Sequence, residues 1–204
     1  MLKLIDVGFG NILALQAWLS NSGLTYETIT NKQDLHVTDV VVMPGVGSAH
    51  YALERLKVSG LYSKILEHIL SGGRYVGICV GMQILFESLD EGPCVGFGVF
   101  AGNITKLGPD SNTEWSELTL RKSDTHPSWH SGFGRRSKFQ ARVFNNHVYG
   151  AKNVKLKDSD FLVMDSERKF IQIIGNKNVM GFQFHPEKSQ EFGGMIGNFL
   201  GRIA

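Results

Sequence analysis

Cys79 lies in Gly77-Ile78-Cys79-Val80-Gly81, after the apolar run Tyr75–Ile78 and before the helix-like Met82-Gln83-Ile84-Leu85-Phe86-Glu87. This is the form of a nucleophile elbow with a thiol in place of the usual hydroxyl. A strained strand-to-helix turn projects its reactive atom into a cleft, and side chains two residues to either side collide unless they are small. Glycine at both positions removes the collision. The helix start favours thiolate, and the Val80 amide points to where an oxyanion would develop. A buried cysteine packed at a helix start is the structural alternative.

A thiol nucleophile needs a base. Of 7 histidines the best placed is His185 in Phe184-His185-Pro186-Glu187, just past the strand-like residues 178–184. Pro186 stiffens the turn, and Glu187 can reach back to the second imidazole nitrogen and fix its tautomer. Another post-strand loop, Pro44-Gly45-Val46-Gly47-Ser48, carries glycines whose exposed N–H groups can complete an oxyanion hole, although a plain turn explains that motif by itself equally well. Gly8-Phe9-Gly10-Asn11-Ile12-Leu13 resembles a dinucleotide fingerprint, but Leu13 stands where a small residue belongs, so a tight turn is expected. His126 and His130 are four apart, yet Pro127 opposes a helix presenting both and no third ligand is evident; neither metal nor cofactor is expected. Cys94, beside Pro93 and without flanking elbow glycines, reads as structural.

Short apolar runs alternate with amphipathic ones over the first part of the chain: Leu2–Val7, Ile12–Ser22, Thr25–Thr30, Val40–Met43, Ala49–Leu56, Leu61–Leu70 and Tyr75–Ile78. This βαβα order predicts an α/β fold, a mainly parallel twisted sheet with helices on both faces and binding groups at the carboxyl ends of its strands. Beyond residue 95 the runs Val95–Phe100, Leu118–Arg121, Phe139–Phe144, Phe161–Asp165 and Phe170–Ile174 predict a small antiparallel annex. A returning strand over 178–184 and a closing helix over Phe192–Ile203 complete the expectation. No linker or repeat divides residues 1–204, so one domain is expected.

Composition narrows the function classes. At 204 residues with 42% apolar and 20% charged side chains, the chain can bury a core and is neither disordered nor fibrous. Residues 1–100 carry 6 basic and 9 acidic side chains and residues 101–204 carry 15 and 10, so a net charge of +2 hides halves of −3 and +5. Much of the excess lies in Arg121, Lys122, Arg135, Arg136, Lys138 and Arg142, against Asp124. Aromatic residues are not interleaved with these cations, so no nucleic acid is expected. Two cysteines and an N-terminus without a signal-peptide core suggest a reducing, cytoplasmic setting. No run approaches the roughly 18 apolar residues of a membrane span, so no membrane role is expected.

Taken in order, Pro44-Gly45-Val46-Gly47, Gly77-Ile78-Cys79-Val80-Gly81-Met82-Gln83 and His185-Pro186-Glu187 resemble the signature of class I (triad) glutamine amidotransferases. With Asp6-Val7-Gly8-Phe9-Gly10-Asn11 and the Lys188-Ser189-Gln190 tail, the chain is most similar to the glutaminase subunits of imidazole glycerol phosphate synthases, over nearly its whole length. The resemblance implies that Cys79 attacks the glutamine side-chain amide, His185 protonates the leaving ammonia and later activates water, and Glu187 orients His185. It implies oxyanion amides at Gly45, Val46, Gly47 and Val80, and glutamine contacts from Gln83 and Glu91, with His147 and Val148 in the segment that lines the substrate carboxylate. It further implies a (βα)8-barrel cyclase partner that uses the ammonia to make imidazole glycerol phosphate and an aminoimidazole carboxamide ribotide. Asn11, Trp115, Tyr149 and Lys188 are the expected partner-facing residues.

Two segments depart from that family's pattern. Asn112-Thr113-Glu114-Trp115-Ser116 stands where His-x-Gly-Trp-Asn is usual, and Asn146-His147-Val148-Tyr149 where Val-His-Ser-Tyr is usual. Such divergence also suits paralogues that feed ammonia to synthases of surface-polysaccharide sugars, and a non-catalytic regulatory module on the same fold is a third reading. Independently of resemblance, 204 residues offer no second, phosphate-binding synthase site, so ammonia released here needs an acceptor chain.

Overall fold

A computed structural model describes the chain except residues 9, 32–34, 93, 109–111, 122–137, 158–159 and 165–169, and the side chains of residues 112, 113, 121, 138, 139 and 153. Lys122, Asp124, Arg135 and Arg136 of the basic segment, and the pair His126 and His130, thus lie outside the described residues. The expected parallel sheet is present. It is built from β1 (Leu2–Ile5), β2 (Tyr26–Ile29), β3 (Val40–Met43), β4 (Arg74–Ile78) and β13 (Val179–Phe182), all parallel, extended at one edge by antiparallel β12 (Ile171–Gly175) and β11 (Phe161–Met164). The order is β11-β12-β13-β4-β3-β1-β2. Every residue of β3, β12 and β13 is buried, whereas edge strand β2 alternates, as a sheet covered on both faces requires.

Helix α1 (Ile12–Asn21) joins β1 to β2, while α2 (Ala49–Val58) and α3 (Leu61–Leu70) join β3 to β4 in the opposite direction along the sheet. Right-handed crossovers running in opposite directions place α1 on one face and α2 with α3 on the other. The closing helix α5 (Gln190–Ile203) packs against α1, where Trp18 Nε1 donates to the Gly193 carbonyl at 3.1 Å. Among the described residues no helix is long and apolar enough to cross a membrane.

The annex is only partly antiparallel, and two runs expected in it, Phe161–Asp165 and Phe170–Ile174, give instead the strands β11 and β12 at one edge of the main sheet. The residues read as helix-like after Cys79 give a single turn, α4 (Val80–Gln83), and then β5 (Phe86–Leu89), which pairs parallel to β7 (Phe100–Lys106). Pairing of Phe86 with Phe100 overrides the local helix preference. The run Val95–Phe100 is not one strand: β6 (Cys94–Val95) ends at Gly96, whose backbone lies so close to Phe86 that a Cβ would meet its carbonyl at 2.2 Å, and the chain turns at Gly98 before β7. β10 (Tyr149–Lys155), unforeseen, completes the sheet β10-β7-β5-β6. The short strands expected over Leu118–Arg121 and Phe139–Phe144 are parts of one long ribbon, β8 (Asn112–Arg121) with β9 (Lys138–His147), in continuous register.

The elbow is set by backbone against backbone. A Cβ on Gly77 would lie 2.3 Å from the Gly81 carbonyl oxygen, and one on Gly81 would lie 2.1 Å from that of Met43 in β3. The neighbours are main chain in the middle of the sheet and cannot step aside. Gly81→Ala is therefore expected to cost about 3 kcal/mol through forced overpacking. Gly194→Ala, on the exposed side of α5 with nothing within 4 Å of an added Cβ, is expected to gain roughly 0.5–1 kcal/mol from helix propensity. Urea midpoints of the two variants should move in opposite directions; equal shifts would contradict the packing account.

Candidate active site

The loops after β1, β3, β4 and β13 all open at one end of the parallel sheet, and the sequence-derived motifs fall there together. Cys79 adopts φ +51° and ψ −105°, a region that costs a residue with a side chain roughly 1–3 kcal/mol. The strain is held by the chain on both sides. Cys79 N–H donates to the Phe182 carbonyl at 2.7 Å, and the Cys79 carbonyl accepts from Met82 and Gln83, each at 3.0 Å. Because α4 is one turn long, its contribution to an anion is the local amides of Val80 and Gly81, not a long-helix dipole. Gly45 presses on this turn: a Cβ there would come within 2.4 Å of Val80 Cβ and 2.8 Å of the Gly81 nitrogen. The two loops expected to supply oxyanion amides are thus in direct contact. Gly47 (φ +91°) and Val80 reach the cavity beside Cys79, while Gly45 is buried beneath it and Val46 is half-buried behind.

His185 follows β13 and is clamped by β9. Its N–H donates to the Phe144 carbonyl at 2.9 Å, and Ser189 Oγ donates to the His185 carbonyl at 2.6 Å while accepting from the Phe144 N–H at 3.1 Å. Gly193 of α5 lies against the Pro186 carbonyl, 2.0 Å from where its Cβ would be, so the His-Pro-Glu turn is braced from below. His185 Nδ1 donates to Glu187 Oε1 at 2.8 Å, with both side chains 1% exposed. His185 Nε2 is buried and has no hydrogen-bond partner among the described residues. Burial opposes charge on this imidazole, but the adjacent Cys79 sulfur and Glu187 carboxylate outweigh it and push its pKa up to about 10. At neutral pH His185 is an imidazolium, poised to give up the Nε2 proton.

A cavity of about 510 Å³ opens beside Cys79. Gln83, Glu91, His147, Val148 and Tyr149 line it, as do three residues that the sequence did not single out: Ser48, Lys106 and Asn146. Glu91 has one carboxylate oxygen on the Ala49 N–H at 2.8 Å, capping α2, and lines the cavity with the rest of the group. Lys106, at the end of β7, is the cation of the lining. His147 Nδ1 donates to the Tyr149 carbonyl at 3.0 Å, and its ring packs edge-on to Phe170 at 5.1 Å. Burial, with His185 adding repulsion, pushes its pKa down to about 4 despite the Tyr149 bond, so His147 is a neutral wall of the site.

The residues expected to face a partner fall in three places. Trp115, Phe144 and Lys188 gather: Trp115 pairs with Phe144 across the ribbon, with Arg142 stacked 5.1 Å over the indole and Lys188 5.2 Å over the Phe144 ring. Asn11 caps α1 on the separate loop after β1, accepting from the Ala14 N–H at 3.4 Å. Tyr149 belongs to the cavity wall, where its carbonyl holds both Gln83 and His147.

The family model for class-I glutamine amidotransferases matches residues 3–200. Among curated proteins, the imidazole glycerol phosphate synthase subunit HisH of Cyanothece sp. is 29% identical over 209 residues, covering 100% of this chain and 96% of that protein. The same subunit from Acaryochloris marina is 30% identical over 209 residues, covering 100% and 95%. Among solved structures, PurLQS from Thermotoga maritima superposes with a TM-score of 0.73 at 19% identity, covering 99% of this chain and 95% of that one, a likeness of fold. With the family model spanning nearly the whole chain and a relative 30% identical over the full length of this chain, this protein belongs to the class-I glutamine amidotransferases and is a glutaminase.

Proposed function

We propose that this chain is the glutaminase subunit of an imidazole glycerol phosphate synthase, with Cys79, His185 and Glu187 as its catalytic triad. The observation that carries the chemistry is the buried His185–Glu187 pair acting on the sulfur of a cysteine held at φ +51°. The Cys79 sulfur attacks the side-chain carbonyl carbon of glutamine, forming a C–S bond as the carbonyl electrons move to oxygen. That oxygen is received by amides of Val80 and of the Gly45–Gly47 loop. Collapse breaks the C–N bond, ammonia leaves with the proton from His185 Nε2, and a glutamyl thioester remains. Neutral His185 then takes a proton from water, which attacks the thioester and releases glutamate and the thiolate.

Substrate recognition follows from charge. Glu91 and Lys106 are the two side chains of opposite charge in a cavity lined otherwise by uncharged polar and apolar residues and neutral His147, which matches the zwitterionic end of an amino acid. The partner reading rests on the HisH relatives and on the cluster of half-buried Trp115 and Phe144 with exposed Lys188. The acceptor is a (βα)8-barrel cyclase that takes ammonia directly into histidine biosynthesis. The departures at residues 112–116 and 146–149 favour, as second reading, a paralogue serving a surface-polysaccharide sugar synthase.

Cys79→Ala is expected to abolish glutamate release, measured with and without an imidazole glycerol phosphate synthase cyclase subunit added; retained partner-stimulated activity would refute the nucleophile. Stimulation by a sugar synthase and not by the cyclase would select the second reading. Glu187→Gln removes a carboxylate that raises the His185 pKa, so protonated imidazole is lost at lower pH. The alkaline limb of the pH–rate profile should move downward and kcat fall roughly 10²-fold or more; an unmoved limb would exclude this orienting role. Glu91→Gln keeps an oxygen for the Ala49 N–H while removing the charge. KM for glutamine should rise about tenfold with a smaller change in kcat. A KM equal to the parent's would remove Glu91 from the substrate site.

A further inference from the structure

Two buried glutamines beside the nucleophile form a chain that the mechanism above does not use. The Tyr149 carbonyl can only accept, so the nitrogen of the Gln83 amide faces it, donating at 2.8 Å. The same Nε2 donates its second hydrogen to Gln183 Oε1 at 3.3 Å. With its oxygen engaged, the Gln183 amide turns its nitrogen the other way, 3.8 Å from Cys79 Sγ. Gln83 is 2% exposed and Gln183 0%. One obligate acceptor thereby sets the polarity of the whole chain and prevents either amide from flipping. On another side of the sulfur stands the Asn146 carbonyl at 3.9 Å, which accepts from a thiol but offers nothing to a thiolate.

We propose that Gln183 is a further catalytic group: its amide nitrogen donates to the Cys79 sulfur as thiolate, and Gln83, acting through it, is a positioning residue as well as a cavity wall. A hydrogen bond to an ionised acceptor is roughly twice as strong as one between neutral groups, so this contact gains when the sulfur becomes charged. His185 changes charge as it passes its proton to ammonia and recovers one from water. The amide does not, so Gln183 supplies a donor that is constant through acylation and deacylation. The proposal rests on the glutaminase reading for the step in which the thiolate is used, but its readout does not need glutamine.

The test is the rate of Cys79 alkylation by iodoacetamide as a function of pH, in a Cys94→Ser background, for the parent and Gln183→Met. The titratable groups around the sulfur, His185 with Glu187 behind it and neutral His147, are the same in both proteins. Gln183→Met is expected to slow alkylation at neutral pH roughly tenfold and to displace the profile to higher pH. It should lower kcat for glutamine by a similar factor with KM unchanged, because the amide touches sulfur and not substrate. A parent-like alkylation profile overturns the proposal while leaving the glutaminase reading standing; absence of glutamine hydrolysis in the parent, with the displaced profile present, does the reverse. If Gln183→Met does not fold, Gln183→Asn carries the same test, since it keeps the amide and withdraws the nitrogen by one methylene. Its profile must also move, and an unmoved one overturns the assignment.

Discussion

The site depends on one backbone constraint, the positive φ of Cys79. A residue with a side chain leaves this region unless the surrounding main chain forbids it, and here two strands and a helical turn do so. β13 takes the Cys79 N–H, β3 abuts Gly81, and the turn of α4 closes on the Cys79 carbonyl. Since those contacts are backbone to backbone in the fully buried middle of the sheet, the geometry of Cys79 is a property of the core. The glycines at 45, 77 and 81 are where main chain meets main chain, which explains why the chemistry sits at the point of closest packing.

Burial then decides the electrostatics. Cys79, His185 and the Glu187 side chain are each about 1% exposed, so their charges are screened by one another and little by water. In such surroundings an unpaired charge is costly, and the imidazolium persists because a carboxylate and a sulfur face it from opposite sides. His147, also buried but without an anion among the causes acting on it, goes the other way and stays neutral. Two buried histidines are thus driven apart in pKa. The clamp from β9 joins the ribbon to the main sheet: the Phe144 main chain holds both His185 and Ser189, so the ribbon that bears Trp115 is tied to His185. A protein docked on Trp115 and Lys188 has a short mechanical route to His185.

The parallel sheet, the elbow and the His-Pro-Glu turn were legible in the sequence because each is written locally, as an apolar run, a pair of glycines or three adjacent residues. The second sheet was not. Phe86–Leu89 has the composition of a helix continuation, and only its pairing with β7, far along the chain, makes it a strand. The long ribbon shows in sequence only at its most apolar stretches. Gln183 carried a signal that was overlooked, a lone amide in an otherwise apolar returning strand, the kind of buried polar group that needs a partner. Lys106 had none, since a lysine at a strand end is ordinarily solvated. Glu91 was legible as a charge in the right region, but its bond to the start of α2 depends on a distant loop.

The central claim is that glutamine passes through a covalent bond to the sulfur of Cys79 under control of His185 and Glu187. Mass spectrometry of the protein quenched in acid during steady glutamine turnover tests it most directly. A glutamyl adduct should appear on the peptide bearing Cys79, and it should build up in Glu187→Gln if release by water is slowed more than attack. Turnover with the adduct on another residue, or with no adduct in parent and variant alike, would contradict the account.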